Sequence, residues 1–252
     1  MKGKMNLKKI AFYVGIIVIW QIIFSLHIWS SQVLPSPVQV GRVLFDGVID
    51  GSLLYGIGTS LWRLIVGLAI AIGGGMILGI FMARVETANQ TIGSLVLGLQ
   101  SIPSVAWVPL ALLWFGPTDI GVIFVTVAGA LFAVTMNTFS GIKNIHPSYI
   151  AAGRNMGASG FQLITNVMIP AAFPFMISGF KQGWAYAWRG VIAAEIIFSI
   201  VGLGFILNVG RLHDDISKVT AILIVIMLIG ILVDGLVFKR LEKKVMSRWG
   251  LL

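Results

Sequence analysis

The sequence predicts an all-α integral membrane protein that crosses the bilayer six times. Three observations support this prediction: the composition, the spacing of charge-free windows and the uneven distribution of lysine and arginine. Hydrophobic residues make up 58% of the chain and charged residues only 11%, whereas a soluble domain carries about 25% charged residues. The chain therefore has too little polar surface to face water on every side.

Each predicted span is a window of about 20 mostly apolar residues, the length that an α-helix needs to cross roughly 30 Å of hydrocarbon. The window from Leu64 to Ala83, for example, contains no charged residue. A cleaved signal peptide is the alternative for the first window, although that window is longer than a usual signal sequence and no A-x-A-like site follows it. We place the spans in a single transmembrane domain, residues 1–252, at about 10–27, 60–83, 92–115, 119–142, 171–200 and 219–238.

The orientation follows from the positions of lysine and arginine, which are enriched in cytoplasmic loops. With the N-terminus inside, twelve of the 18 basic residues fall in cytoplasmic segments, four in outer segments and two within the fifth span. This bias predicts that both the N-terminus and the C-terminus are cytoplasmic. The net charge of +9 is then explained by basic ends that contact anionic lipid of the bilayer, and not by a nucleic-acid surface.

The segment from Lys143 to Pro170 is too polar to lie in lipid and too long for a simple turn between spans. Residues 149–156 have helical spacing, Gly157 and Gly160 interrupt it, and a helical period resumes from Phe161. We therefore predict a cytoplasmic helix-turn-helix that is suited to docking. An interfacial loop that lies on lipid headgroups is the alternative.

This segment also carries a motif. It reads Ala151-Ala152-Gly153, then Gly157, then Val167-x-Ile169-Pro170, which follows the pattern E-A-A-x3-G-x9-I-x-L-P. The sequence thereby resembles the permease subunits of bacterial binding-protein-dependent ABC importers. Ala151 stands where that family has its glutamate and Gly153 where it has its second alanine, so a salt bridge made by the family glutamate is not expected here.

Other stretches narrow the resemblance to the nitrate/sulfonate/taurine-type permeases. Their order and spacing cover residues 34–238. They are Leu34-Pro35-Ser36-Pro37, Ser60-Leu61-Trp62-Arg63, Ile102-Pro103-Ser104, Trp107-Val108-Pro109-Leu110, Trp114-Phe115-Gly116, Trp188-Arg189-Gly190 and Ala193-Ala194-Glu195.

The resemblance implies a type I importer permease fold in a bacterial plasma (inner) membrane. Its partners would be an ABC ATPase subunit, an extracytoplasmic substrate-binding protein and a second permease copy. The sequence contains no G-x4-G-K-[ST], so we expect no ATP site of the P-loop type on this chain. We also expect no catalytic residue and no cofactor here, with ATP and Mg²⁺ bound by the partner ATPase. The residues expected to contact the ATPase are Tyr149, Ala151, Ala152, Gly153, Arg154, Gly157, Ala158 and Pro170.

The fifth span contains the candidates for lining a solute pathway. Charged residues within a membrane helix are costly and usually face a cavity or a partner. Trp184, Trp188 and Glu195 share one helical face, and Arg189 lies next to it. A cationic pathway would suit a small anion such as a sulfonate, taurine or nitrate. The alternative is that Arg189 and Glu195 have structural partners on neighbouring helices.

Two other functional classes compete with this interpretation. A membrane enzyme or metal site has little support, because the histidines are isolated and the pair Asp214-Asp215, near His213, is more simply a solvated loop. A stand-alone secondary transporter or channel would not need the long cytoplasmic segment. We therefore expect no metal, and a non-catalytic permease subunit of an ATP-driven importer.

Overall fold

A computed structural model describes residues 7–30 and 33–248 of the chain, and within these ranges the fold is helical, with no β-strand. The chain forms two compact units. The smaller unit comprises the residues up to Thr59 together with Val201–Met227, and the larger comprises Ser60–Ile200 and the residues from Leu228 onward. The two chain ends, which we predict to be cytoplasmic, fall outside the described ranges.

The smaller unit contains α1 (Leu7–Ser25) and α2 (Pro37–Ile49). A capping box starts α2: the backbone N–H of Ser36 donates to the side chain of Gln39 at 2.8 Å, and the N–H of Gln39 donates to the Ser36 hydroxyl at 3.1 Å. Helix α2 ends at Ile49, and a turn at Gly51, whose φ is +77°, leads into the next helix.

That next helix, α3 (Ser52–Arg84), starts beside an acidic side chain. The backbone N–H of Ser52 donates to the Asp50 carboxylate at 2.8 Å. Hydrogen bonds from Ser52 lower the pKa of Asp50 below its usual value, because they stabilise the charged form. The remaining helices of the smaller unit are α10 (Leu203–Leu212) and the first part of α11 (Ile216–Val233).

The core of the larger unit forms where glycines let helices approach closely. A Cβ at Gly79 of α3 would lie 2.6 Å from the carbonyl oxygen of Thr135, on α6 (Asp119–Lys143). A Cβ at Gly179 of α9 (Ile169–Phe198) would lie 2.5 Å from the Cβ of Asn137, also on α6. Small residues at a helix interface let the backbones of membrane helices approach closely in this way.

The third predicted span is not one continuous helix. It consists of α4 (Glu86–Gln100), a 3₁₀ turn at Ser104–Trp107 and α5 (Val108–Phe115), and the two parts are bent by 97°. Pro103 explains the break, because proline has no N–H to donate and disfavours the helical conformation of the preceding residue.

Helix lengths and composition support four membrane crossings, or five if the bent pair counts as one. The first apolar helix, Ile10–Ser25, is shorter than these. The predicted count of six therefore remains a prediction. The four are Ser52–Arg84, Asp119–Lys143, Gly160–Phe198 and Ile216–Ser247.

The helix Gly160–Phe198 is built from three consecutive segments without a loop between them. They are α8 (Gly160–Leu163), a π-helical turn at Ile164–Met168 and α9. Lys181 of α9 binds Asp234 at 2.8 Å, in a second π-helical turn, Asp234–Phe238, that precedes α12 (Lys239–Arg248). This ion pair joins two charged groups that lie within predicted spans.

Candidate functional site

The predicted helix-turn-helix is present as α7 (Pro147–Asn155) followed by the start of the Gly160–Phe198 helix, and its cytoplasmic location stays a prediction. Helix α7 starts at Pro147, where proline's fixed φ suits the first turn. It ends in a Schellman motif: the N–H of Ala158 donates to the carbonyl of Gly153 at 3.0 Å, and the N–H of Gly157 donates to that of Arg154 at 2.9 Å. Gly157 has φ +87°, a conformation that glycine adopts without strain.

Gly153 holds α7 against the helix that follows it. It is buried, and a Cβ there would lie 2.7 Å from Cγ2 of Val167 and 3.2 Å from Cδ1 of Leu163. Val167 is β-branched and therefore stiff in a helix. The glycine at this motif position, where the related pattern has alanine, thus has a packing reason that the sequence alone did not reveal.

The opposite side of α7 is exposed. Ala151, Ala152 and Arg154 are exposed, and Tyr149 and Met156 present large apolar side chains that are 53% and 87% exposed. Ala158 and Pro170 are half-buried. An exposed apolar patch with a polar rim is typical of a protein interaction surface.

Gly153→Ala is expected to lower the free energy of unfolding of the chain by about 1–3 kcal/mol, because the added methyl group overpacks the contact with Val167. The double variant Gly153→Ala/Val167→Ala should recover most of the loss, since it removes the clashing methyl groups. Thermal unfolding of the purified chain in detergent measures both. Ala152→Ser, on the exposed neighbour, is the matched control, and equal stability of Gly153→Ala and this control would contradict the packing argument.

The face of α9 that carries the pathway candidates is mostly buried. Trp184 and Trp188 stack with ring centroids 6.0 Å apart and an interplanar angle of 9°. Trp188 is 7% exposed and Glu195 is completely buried. The helical period correctly placed these residues on one face, and the structure shows that this face packs against other helices.

Glu195 belongs to a buried polar cluster that joins three helices. Its carboxylate accepts hydrogen bonds from Arg63 Nη1 at 2.7 Å and from the Ser60 hydroxyl at 2.8 Å, both on α3. The other edge of the Arg63 guanidinium binds Asp119, at the start of α6, at 2.7 Å. The geometry supports the alternative in which Glu195 has structural partners. A partial signal was present, since Arg63 and Glu195 both border or interrupt apolar windows, but the sequence did not indicate that they pair.

Arg189, in contrast, is exposed and borders a cavity of about 350 Å³. Among the described residues no carboxylate lies within ion-pair distance of its guanidinium. The cavity lies beside the break in the third predicted span, and the sequence did not indicate that these elements meet. Besides Arg189, its polar side chains are Gln100, Ser101, Ser104 and Tyr186.

This arrangement can hold an anion. A guanidinium offers planar, charged N–H donors that match the oxygens of an oxyanion, and the hydroxyl and amide groups offer further donors. Irregular backbone at membrane depth is tolerated where it lines a cavity, which fits the position of the break at residues 101–103. Glu195 and the two stacked tryptophans do not line this cavity.

No group of three potential metal ligands occurs in the ranges 7–30 and 33–248. The loop residues His213, Asp214 and Asp215 therefore do not form such a group with other described side chains.

Residues 75–246 match the family model described as "Binding-protein-dependent transport system inner membrane component".

Several named proteins are similar over most of their length. A putative ABC transporter permease protein of Methanocaldococcus jannaschii is 34% identical over 92% of this chain and 90% of its own. The putative aliphatic sulfonates transport permease protein SsuC of Bacillus subtilis is 30% identical over 93% and 84%. The nitrate import permease protein NrtB of Synechocystis is 29% identical over 87% and 82%.

Two solved structures share the fold. The MetNI methionine ABC transporter in an inward-facing conformation aligns with a TM-score of 0.66 and 18% identity, over 78% of this chain and 97% of that one. An amino acid ABC transporter aligns with a TM-score of 0.57 and 18% identity, over 81% and 97%. At this identity the likeness shows the helical architecture of such permeases.

Proposed function

Because the chain belongs to the family of binding-protein-dependent transport system inner membrane components, we propose that the cavity beside Arg189 forms part of the path along which a small anion crosses the membrane. The chain is a permease subunit of an ABC importer and a multi-pass membrane protein. It is a non-catalytic subunit, and the ATPase is a separate chain. None of the relatives described above is named as a secondary transporter or channel.

The exposed guanidinium of Arg189 is the observation that carries the anion proposal. An exposed arginine on a spanning helix, next to a cavity and without a carboxylate partner among the described residues, attracts an anion more strongly than it would in water, because the local dielectric constant is lower. Two similar permeases are named for sulfonates and for nitrate. Both are small oxyanions, so we propose a sulfonate such as taurine, or nitrate, as the substrate class.

The proposed assembly contains two copies of this chain, an ABC ATPase that binds ATP and Mg²⁺, and an external substrate-binding protein. We place the ATPase contact on the exposed side of α7. Tyr149 and Met156 support this placement because they are large, apolar and exposed in a segment that also carries polar residues. The proposed permease crosses the membrane of a bacterium six times, with both chain ends in the cytoplasm. The lysine and arginine bias supports this orientation.

Arg189→Gln is expected to reduce ATP-driven uptake of the anion about tenfold or more, since a hydrogen bond to a charged group contributes about 1.5–3 kcal/mol. Arg189→Lys should lie between this variant and the wild type, because lysine keeps the charge but lacks the planar donors. The measurement is uptake into proteoliposomes that contain the complete importer, with the binding protein and ATP supplied.

The matched control is Lys244→Gln, which removes one exposed charge of α12 that does not line the cavity. It should leave uptake unchanged. Co-purification of the ATPase with each variant separates a pathway effect from loss of assembly. Wild-type uptake by an assembled Arg189→Gln importer would contradict the proposal.

A further inference from the structure

A second cavity, an apolar groove of about 400 Å³, lies on the larger unit beside the end of α3. One wall is formed by α3 and the other by the start of the Gly160–Phe198 helix. Its apolar side chains are strongly exposed: Ile77 is 70% exposed and Phe161 77%. The apolar residues that line the groove are Ile77, Ile80, Phe81, Phe161, Ile164 and Ile169.

Arg84 supplies a positive charge at one end of this groove. It is the first charged residue after the charge-free window Leu64–Ala83, so it marks the edge of the hydrocarbon. Its guanidinium is exposed and donates to the Met168 sulfur at 3.3 Å, a weak acceptor. In the part of the chain that the structure describes, it makes no ion pair with a carboxylate.

A neighbouring cavity adds to the positive charge. Arg154 and Lys143 line it together with Ala83, the residue before Arg84. Lys143 binds Glu86 at 3.3 Å, while Arg154 has no carboxylate at ion-pair distance among residues 7–30 and 33–248. The polar group of the groove wall, the Thr165 hydroxyl, already donates to the carbonyl of Phe161 at 3.1 Å.

The dimensions of the groove match those of a lipid. Arg84 and Ile77 are seven residues apart on α3, a distance of about 10 Å along the helix axis. Half of the hydrocarbon layer is about 15 Å thick, so the groove runs from the membrane surface through most of one leaflet. The π-helical turn at Ile164–Met168 contains more residues per turn than an α-helix, which brings Ile169 back toward the side of the helix that carries Phe161 and Thr165.

We propose that this groove binds one anionic phospholipid, with its phosphate on the Arg84 guanidinium and one acyl chain along Ile77, Ile80 and Phe81 of α3. Arginine binds phosphate through two parallel N–H donors, and each basic residue near a membrane surface attracts anionic lipid. Charge favours a phospholipid over an uncharged membrane helix as the occupant, because a helix of that kind would leave the exposed guanidinium of Arg84 without a negative partner at the membrane edge.

The test is retention of phosphatidylglycerol by the full-length chain. The chain is reconstituted with equal amounts of phosphatidylglycerol and phosphatidylcholine of the same acyl composition, extracted in mild detergent and analysed by native mass spectrometry. The wild type should retain phosphatidylglycerol in preference to phosphatidylcholine. Arg84→Gln should lower retention about tenfold, whereas Arg84→Lys should lower it less. Ile77→Trp, which fills the groove but keeps the charge, should also lower it.

The matched control is Arg240→Gln, which removes an exposed arginine of α12 that does not line the groove and should leave retention unchanged. Equal losses in Arg84→Gln and Arg240→Gln would overturn the proposal in favour of diffuse surface charge. Unchanged retention in Ile77→Trp would overturn it as well, even if Arg84→Gln fails to fold. The chain has no cysteine, so a single cysteine at Ile77 reports directly on protein neighbours. A disulfide between two copies at that position would show that a second copy of the chain covers the groove.

Discussion

Arg63→Ala is expected to destabilise the chain by about 3–5 kcal/mol, the usual effect of removing one partner of a buried ion pair. Glu195 is completely buried and Arg63 is 4% exposed, and their side chains are 2.7 Å apart. The variant would leave the Glu195 carboxylate in a medium of low dielectric constant without its guanidinium partner. Thermal unfolding in lipid nanodiscs, together with the yield of chain in the membrane, measures the effect.

Asp119→Asn is the matched control for this prediction. Asp119 binds the same guanidinium at 2.7 Å, but its side chain is 63% exposed, so its loss should cost only about 0–1 kcal/mol. The double variant Arg63→Leu/Glu195→Leu should be more stable than Arg63→Ala, because it leaves no buried charge. An equal loss of unfolding free energy in Arg63→Ala and Asp119→Asn would show that burial does not decide how much each ion pair stabilises the chain.

Gly157→Val is expected to abolish most ATP-driven uptake while the chain still inserts into the membrane. With φ at +87°, a β-branched residue is strained, and the left-handed conformation costs about 1–2 kcal/mol for an ordinary residue. No atom lies within 4 Å of the position that a Cβ would take, so the effect comes from the backbone. The end of α7 would change shape, and with it the surface on which we place the ATPase.

Gly157→Asn separates this backbone effect from the loss of glycine as such. Asparagine tolerates positive φ far better than valine, so this variant should keep a large share of the uptake. Uptake into proteoliposomes and the ATPase activity of the same samples are measured together, since a fault in coupling lowers the first more than the second. Full uptake by Gly157→Val would remove the support for this part of α7 as a coupling element.

Features encoded by neighbouring residues were predictable from the sequence. The end of α7 just before Gly157 and the break at Pro103 both follow from residues that restrict or free the backbone locally. The residues Trp184, Trp188 and Glu195 were correctly assigned to one helical face because their spacing matches the period of an α-helix. The short first helix and the π-helical turns at Ile164 and Asp234 did not follow from such signals.

Features that depend on distant residues were not predictable. Arg63 and Glu195 lie 132 positions apart, and nothing in either stretch identifies the other as its partner. The same holds for Gln100, Ser104 and Arg189, whose side chains meet at one cavity only after α9 packs beside the broken span. Helical periodicity therefore identifies residues on a common face, but the neighbours of that face depend on the tertiary fold.

The unbroken run of 39 residues from Gly160 to Phe198 has a mechanical consequence. At 1.5 Å per residue it is about 58 Å long, nearly twice the roughly 30 Å of hydrocarbon. Its first turns pack against α7 through Gly153, and its last turns carry Glu195. No loop interrupts this run. We therefore propose that a displacement of α7 reaches the Arg63–Glu195 pair through continuous helix.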